Sequence, residues 1–179
     1  NALSLGVDFT GFIFYDRSRR TIKPEQVRKR KRNNIYSHKR VGVFVNERIE
    51  IIREVYDLAD LDIIQLHGDE SPEYCQRLDL PYWKCIRIKN FDSINLIQEY
   101  STEKILIDIY SENLYGGTGK SIDLLLVKKA LETEKEIIVA GGISYSNVKD
   151  IINLKPYAID INSSIEKLPG KKDFNKMSE

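Results

Sequence analysis

The sequence predicts an α/β protein of the (β/α)8 TIM-barrel class, and three observations lead to this prediction. Runs rich in β-branched and aromatic residues recur at intervals of roughly 20 to 30 residues. Turn residues and then a stretch with helical spacing follow each run. The runs themselves are nearly continuous in hydrophobicity, as in strands buried on both faces of a parallel sheet. This alternation leaves a doubly wound sheet or a closed barrel, and seven repeats favour the barrel.

The predicted strands number seven, whereas a complete barrel of this class has eight. Residues 2–5 have the character of a last helical turn before Gly6, so we expect the first strand to lie upstream of them and the first βα unit to be incomplete. Residues 171–179 are expected to begin a final helix that is truncated. The predicted strands are residues 8–15, 41–46, 63–68, 82–88, 104–110, 136–142 and 158–163.

The helices between these strands are predicted from capping residues and from the apolar period. Residues 24–32 begin with Pro24, which suits the first turn of a helix. Residues 47–58 place Ile49, Ile52, Val55 and Tyr56 on one face. The later helices are predicted to begin at Ser71, with Pro72 and Glu73 in the first turn, at Asp92, at Ser121, and at Ser144 or Ser146.

Composition and charge indicate one soluble domain over residues 1–179 and exclude several classes of function. The 28 Lys and Arg residues balance 27 Asp and Glu residues, so no nucleic-acid partner is expected. The basic run at residues 28–32 is interpreted as a solvated helical face rather than an RNA-binding segment. No apolar run approaches the roughly 18 residues that cross a bilayer, and the first residues lack a signal peptide's features. We therefore expect no membrane partner and a cytoplasmic location.

The cysteines and histidines do not predict a metal site. Cys75 and Cys85 lie ten residues apart without CxxC spacing. His38 and His67 each stand alone in the sequence, and structural zinc sites usually show closely spaced ligands. We therefore expect no bound metal.

Candidate site residues are selected by their position at the carboxyl ends of the strands, where barrel enzymes hold their chemistry. Asp108 ends an apolar run and shares a face with Leu106. It is interpreted as a proton donor rather than a cap on the next loop, because aliphatic surroundings favour the neutral form of a carboxyl group. Gln65 and His67 lie two apart on one strand and should point to the same side, and His67 is either a substrate contact or a hydrogen-bonded interior residue.

An arginine in the loop after the first visible strand is a candidate clamp for a substrate carboxylate. Guanidinium groups bind carboxylates in a bidentate manner. Three arginines stand in this loop, and local sequence does not choose among Arg17, Arg19 and Arg20.

Small residues follow three consecutive strands and predict a phosphate site. Such residues let backbone N–H groups approach an anion closely, and a helix N-terminus behind the loop adds a favourable field. Barrels of this class commonly bind phosphate after strands seven and eight. The three segments are residues 116–119 (GGTG), residues 141–142 (GG) and residues 162–164 (NSS).

These motifs together resemble the phosphoribosylanthranilate isomerase family. The matching segments are GVDFTGFIFYDRSRR, VGVFVNE, IIQLHGDESPEYC, ILIDIYSENLYGGTGKSID, VAGGISYSNV and DINSSIEKLPGKKD, which cover almost the whole chain. The resemblance implies the Amadori rearrangement of N-(5-phosphoribosyl)anthranilate to 1-(2-carboxyphenylamino)-1-deoxyribulose 5-phosphate, a step of tryptophan biosynthesis. It also implies a phosphorylated small-molecule substrate and no cofactor or metal. Barrels of this size occur as monomers or homodimers, and we expect one of these states.

The resemblance assigns roles to individual residues. Asp108 corresponds to the family's general acid, and the SxR pattern at residues 18–20 points to Arg20 as the residue that binds the anthranilate carboxylate. From their place on the strand, rather than from the resemblance, Gln65 and His67 are expected to contact the substrate. The phosphate is expected at Gly141, Gly142, Ser163 and Ser164.

Two departures from the family qualify these roles. The family's base is a cysteine in the first strand, which this sequence does not contain. Cys75 is expected in a helix and Cys85 in mid-strand below the catalytic rim, so neither is a convincing substitute. We therefore expect the 179 residues alone to be inactive or nearly so. Ser164 stands where the family usually has glycine, which predicts weaker or reshaped phosphate binding. The alternatives are a non-catalytic phosphosugar-binding barrel, or another phosphate-binding barrel enzyme such as indole-glycerol-phosphate synthase.

Overall fold

Seven strands form one parallel sheet in the order of the sequence. The computed structural model describes residues 2–29, 38–109 and 123–178. Each strand pairs with the next, from Phe9 opposite Lys39 to Ile138 opposite Ala158, so all carboxyl ends lie at one edge. The strands are β1 (Phe9–Ile13), β2 (Lys39–Phe44), β3 (Ile63–Leu66), β4 (Tyr82–Ile88), β5 (Lys104–Ile109), β6 (Glu136–Ala140) and β7 (Ala158–Ile159).

At least one helix follows each of these strands before the next element of the sheet or the end of the chain. The predicted helix at residues 24–32 is shorter than expected over the residues that the structure describes, and the helix predicted at 47–58 begins two residues later. The helices are α1 (Pro24–Arg28), α2 (Ile49–Ala59), α3 (Pro72–Arg77), α4 (Phe91–Asn95), α5 (Leu124–Leu131), α6 (Val148–Asn153) and α7 (Phe174–Ser178), with 3-10 turns at Leu3–Leu5, Leu96–Glu99 and Ser163–Ile165.

The two faces of the sheet have different cores because side chains alternate along each strand. The outer face packs under the helices in two separate clusters, one of which includes Ile105 and Ile107. The inner face forms a single cluster with residues from all seven strands. The rings of Phe9 in β1 and Trp83 in β4 have centroids 4.9 Å apart, although β2 and β3 lie between these strands in the sheet. The sheet therefore curls, and this face is concave. The members of the inner cluster are Phe9, Val41, Ile63, Trp83, Cys85, Leu106, Ile138, Ala140 and Ala158.

The curled parallel sheet confirms the predicted α/β class at the level of a half-barrel of TIM-barrel type. The prediction of an eighth, upstream strand stays a prediction. At the amino-terminal end, the predicted helical turn is present as the 3-10 turn Leu3–Leu5. Gly6 ends it with a φ of 74° and donates its N–H to the Leu3 carbonyl.

The predicted last strand, residues 158–163, was wrong in its extent. β7 ends at Ile159, and Ser163–Ile165 form a 3-10 turn. A short antiparallel hairpin that the sequence did not predict follows, with strands β8 (Glu166–Leu168) and β9 (Lys171–Lys172). This hairpin places Glu166 against the loop after β1, as described below.

Two predicted helix caps were also wrong. Asn90, not Asp92, caps α4 by accepting the Ser93 N–H, and Asp92 lies in the first turn. α6 begins after Asn147 rather than at Ser144 or Ser146. Ser121 lies outside the described residues, and the cap that the structure shows for α5 is Asp123, whose side chain accepts the Leu125 N–H.

Across residues 2–29, 38–109 and 123–178, no helix combines the length and hydrophobicity needed to cross a membrane.

Candidate functional site

Polar side chains take over from the apolar inner core where the strands reach their carboxyl ends. Asp108 continues the inner face of β5 above Leu106, and Gln65 and His67 continue that of β3 above Ile63. The predicted shared face of each pair is therefore present. Parallel pairing brings these strand ends to one edge of the sheet, where barrel enzymes hold their sites.

His67 is the centre of this polar group. Its Nε2 lies 3.4 Å from Oδ2 of Asp108, and its Nδ1 lies 2.8 Å from Nε2 of Gln65. The side chains of His67 and Asp108 are 28% and 34% exposed, whereas Gln65 is buried. Asp108 is thus not the isolated carboxylate among aliphatic groups that the sequence suggested. It is a partly accessible acid beside an imidazole.

Cys85 belongs to the same group, although its position in mid-strand argued against a role. Its Sγ lies 3.5 Å from Nε2 of His67, and the residue is buried. Burial raises the pKa of the Cys85 thiol, and the nearby Asp108 carboxylate raises it further. The thiol is therefore protonated at neutral pH. Cys75, by contrast, lies on α3 within the outer core, where burial raises its pKa to about 11.

Asp160 is a site residue that sequence reasoning missed. It directly follows β7 and lies two residues after Ala158, so alternation along the strand could have placed it on the inner face. The residue as a whole is exposed, yet the surrounding protein raises the pKa of its carboxyl group, chiefly by desolvation. Asp108 raises this pKa further, whereas His67 and Lys172 lower it. The inner rim thus holds two acids with a histidine and a lysine near them.

The structure distinguishes Arg20 from the other two arginines of its loop. Arg17 and Arg19 are exposed, whereas Arg20 is partly buried and forms a bidentate pair with Glu166. Its Nε lies 3.0 Å from Oε1, and its Nη2 lies 2.7 Å from Oε2. The Arg20 hydrogen bond is the main reason that the pKa of Glu166 falls to about 2. A guanidinium has five N–H donors, so this pair fixes the orientation of Arg20 without using all of them.

The predicted phosphate loop after β6 has the backbone that its glycines suggested. Gly141 and Gly142 have φ values of 84° and 64°, a conformation that side-chain-bearing residues rarely adopt. The Asn147 side chain holds the loop, because its Nδ2 donates to the Gly142 carbonyl and its Oδ1 accepts the Ser144 N–H.

The second predicted phosphate segment lies in the 3-10 turn after β7. Ser163 is exposed, whereas Oγ of Ser164 is buried and has no hydrogen-bond partner among the described residues. A ligand entering from solvent therefore does not meet the Ser164 hydroxyl. The third segment, residues 116–119, lies outside the described residues.

A buried ion pair on the outer side of the sheet supports the His67 segment. Nζ of Lys84 donates to Oε2 of Glu70 at 2.8 Å and to the carbonyls of Leu66 and Gly68 at 3.3 and 2.7 Å. These two carbonyls flank His67. The Lys84 and Glu70 side chains are only 2% and 1% exposed. One ammonium group thus fixes the backbone on both sides of the histidine.

The arrangement is suited to proton transfer on an anionic substrate. An accessible carboxylate adjoins an imidazole. A guanidinium lies in the segment after β1 and a glycine loop lies in the segment after β6, so both follow carboxyl ends of strands at the same edge of the sheet. Within residues 2–29, 38–109 and 123–178, one group of atoms could hold a metal ion: Nε2 of His67, Sγ of Cys85 and a carboxylate oxygen of Asp108, which all lie within 4.8 Å of one another.

Comparison with known proteins gives consistent matches. A family model described as N-(5'phosphoribosyl)anthranilate (PRA) isomerase matches residues 1–179. An N-(5'-phosphoribosyl)anthranilate isomerase of Trichlorobacter lovleyi is 37% identical over 179 residues, which is 99% of this chain and 87% of that protein. The same enzyme of Syntrophus aciditrophicus is 40% identical over 174 residues, which is 96% of this chain and 75% of that protein.

Solved structures agree with these sequence matches. The phosphoribosyl anthranilate isomerase of Thermotoga maritima superimposes with a TM-score of 0.90 at 32% identity, covering 99% of this chain and 87% of that one. A phosphoribosyl anthranilate isomerase in complex with reduced 1-(o-carboxyphenylamino)-1-deoxyribulose 5-phosphate gives a TM-score of 0.83 at 30% identity, with the same coverage.

Proposed function

The chain belongs to the N-(5'-phosphoribosyl)anthranilate isomerase family, and from this premise we propose how its residues divide the reaction. The protein is an isomerase of tryptophan biosynthesis. Its substrate is N-(5-phosphoribosyl)anthranilate, an aminoaldose that the Amadori rearrangement converts into an aminoketose. We place this reaction in the cytoplasm, as the sequence predicts. The residue assignment rests on one observation: Asp108 is a partly exposed acid at the carboxyl end of β5, on the inner face of the sheet, and it contacts His67.

Asp108 is the general acid of this proposal. Its proton passes to the furanose ring oxygen, the ring C–O bond breaks, and the anilino nitrogen supplies the electron pair that forms the iminium. His67 lies beside the same carboxylate and orients it, while Gln65 fixes the imidazole through Nδ1. Partial exposure of Asp108 supports this role, because the acid must reach both substrate and solvent.

In the next step a general base takes the C2′ proton, and the C–H electron pair neutralises the iminium to give an enolamine, which tautomerises to the aminoketose. Cys85 is not proposed as the base, because its thiol is buried and protonated and lies in the middle of β4. The sequence led us to expect an inactive chain because the family's base cysteine is absent from it. The matches to isomerases over almost the full chain do not support that expectation.

The two charged ends of the substrate are assigned to separate segments. Arg20, oriented by Glu166, binds the anthranilate carboxylate. The backbone of Gly141 and Gly142, together with Ser163 and the backbone of Ser164, holds the phosphate. Lys84 forms an ion pair with Glu70 on the outer side of the sheet, away from the inner face. Because indole-glycerol-phosphate synthase uses a catalytic lysine, this position of Lys84 disfavours that alternative.

The direct test is fluorescence-monitored turnover of phosphoribosylanthranilate by the purified protein. We expect conversion to the aminoketose without added metal or cofactor. Ligand binding without any turnover would support the non-catalytic phosphosugar-binding alternative instead.

Replacing Arg20 with alanine is expected to raise KM roughly 10- to 150-fold with little change in kcat, because a charge-assisted contact of about 1.5–3 kcal/mol is lost. Steady-state kinetics measures this change. Arg19→Ala removes an exposed arginine from the same loop and is the matched control. Arg20→Lys keeps the charge but not the planar guanidinium, so its KM should lie between those of the wild type and Arg20→Ala. An unchanged KM in Arg20→Ala would move the assignment to Arg17 or Arg19.

Replacing Gly142 with valine is expected to weaken the binding of phosphorylated ligands selectively, because a branched side chain disfavours the positive φ of this loop. We expect their affinity to fall at least about 10-fold, which corresponds to the loss of one charge-assisted contact. Calorimetry with a product analogue and its dephosphorylated form separates the two affinities. Gly6→Val imposes similar strain at a φ of 74° outside the site. Equal weakening of both ligands would argue against a phosphate site in this loop.

A further inference from the structure

We propose that His67, Cys85 and Asp108 bind one thiophilic divalent cation, for which Zn²⁺ is the probe, and that this cation inhibits the isomerase. The three side chains come from β4, from β5 and from the residue just after β3, and they point to one spot on the inner face. They offer one nitrogen, one sulfur and one oxygen, the donor set that Zn²⁺ takes in proteins. The inhibitory half of the inference rests on the proposed role of Asp108 as general acid.

Two of the three spacings between the ligand atoms match those of a tetrahedral zinc site, and the third, from Sγ of Cys85 to the Asp108 carboxylate, is within 4.8 Å. Bond lengths of about 2.0–2.1 Å to nitrogen, 2.0–2.2 Å to oxygen and 2.3 Å to sulfur, at tetrahedral angles, place N and O about 3.4 Å apart and N and S about 3.5 Å apart. The observed distances from Nε2 of His67 are 3.4 Å to Oδ2 of Asp108 and 3.5 Å to Sγ of Cys85. The cation therefore needs no large movement of this histidine relative to its two neighbours.

The surroundings of His67 also suit a metal ligand. Metal-binding histidines usually have the second ring nitrogen held by a polar group, which fixes the ring's orientation. Here the buried Gln65 amide lies 2.8 Å from Nδ1, and an amide can present either its oxygen or its nitrogen there. Nε2 of His67 then faces the other two ligands, Cys85 and Asp108.

With three protein ligands, one coordination position of a tetrahedral cation would remain open on the concave inner face of the sheet. His67 and Asp108 are partly exposed, whereas Cys85 is buried behind them, so a cation can enter from the same side as the substrate. Binding replaces the S–H bond of Cys85 by an S–metal bond and releases the proton to solvent. The Asp108 oxygen then holds the cation and no longer carries a proton for the ring oxygen, which is why turnover should stop.

The first experiment titrates the whole protein with Co²⁺ alone, followed by Zn²⁺. We expect a thiolate-to-cobalt charge-transfer band that saturates at one equivalent and that Zn²⁺ abolishes by displacement. Cys85→Ser and Cys85→Ala should lose the band and bind Zn²⁺ at least 10-fold more weakly in a chelator competition. Cys75→Ser removes the other buried cysteine and should behave like the wild type. Loss of the band in Cys75→Ser, or its persistence in the Cys85 variants, would overturn the site.

Asp108→Asn provides a second variant at a partly exposed position in case the Cys85 variants fold poorly. It should weaken Zn²⁺ binding as well, and unchanged affinity would remove Asp108 from the ligand set and overturn the site. The second experiment adds Zn²⁺ to the working enzyme, where full activity at saturating metal would overturn the inhibitory half. Absence of turnover in the metal-free protein would instead count against the proposed function, and the cobalt spectrum would still report on the site.

Discussion

Replacing Asp108 with asparagine is expected to lower kcat by about 10²- to 10⁴-fold while leaving ligand affinity nearly intact. A general acid acts in the transition state, when the ring C–O bond breaks, and contributes little to binding of the ground state. Asparagine keeps the size and polarity of the side chain but has no proton of suitable acidity to transfer. Single-turnover kinetics and the affinity for a product analogue measure the two quantities separately.

The control for this change is Asp57→Asn, which alters an exposed acid on α2 away from the inner face. It should leave both kcat and affinity unchanged. If Asp108→Asn lost affinity rather than rate, Asp108 would be a binding residue. The ring oxygen would then have to receive its proton from another acid, and Asp160 is the acid that the structure places near Asp108.

Replacing Lys84 with methionine is expected to destabilise the protein by about 3–5 kcal/mol, because it leaves the Glu70 carboxylate buried without its cation. Both side chains are almost fully buried, so water does not compensate the loss. Methionine has a similar length and removes the charge without opening a large cavity. Urea unfolding monitored by fluorescence gives the change in the free energy of unfolding.

The double variant Lys84→Met/Glu70→Gln tests the reason for this loss. Glutamine keeps an oxygen for the N–H groups of Asn46 and Gly68 that Oε1 of Glu70 now accepts, and it carries no charge. We therefore expect the double variant to recover a substantial part of the stability. Because Lys84 also fixes the carbonyls on both sides of His67, we expect both Lys84→Met and the double variant to have a lowered kcat with little change in KM. A double variant as unstable as Lys84→Met would show that the stability resides in packing rather than in charge pairing.

The sequence predicted the strand order and the face on which Asp108 lies because both follow from local patterns. The apolar period located all seven strands of the sheet, and alternation within each strand correctly placed Asp108 with Leu106 and Gln65 with His67. These relations depend only on residues two apart, which a strand fixes by its geometry. Boundaries near turns were less accurate, because cap choice at Asn90 and Asn147 depends on backbone conformation in the loop.

The curvature of the sheet and the packing of its loops determine which residues from different segments contact one another. Arg20 and Glu166 are 146 residues apart, and no local signal distinguished Arg20 from Arg17 and Arg19 before the hairpin placed Glu166 beside it. Likewise, Cys85 looked remote from the rim in its own strand. Its sulfur reaches His67 because neighbouring strands set their inner side chains side by side. The sequence by itself determined which face each residue occupies, and only the tertiary structure determined its partners, because pairing across strands depends on register and curvature rather than on neighbours along the chain.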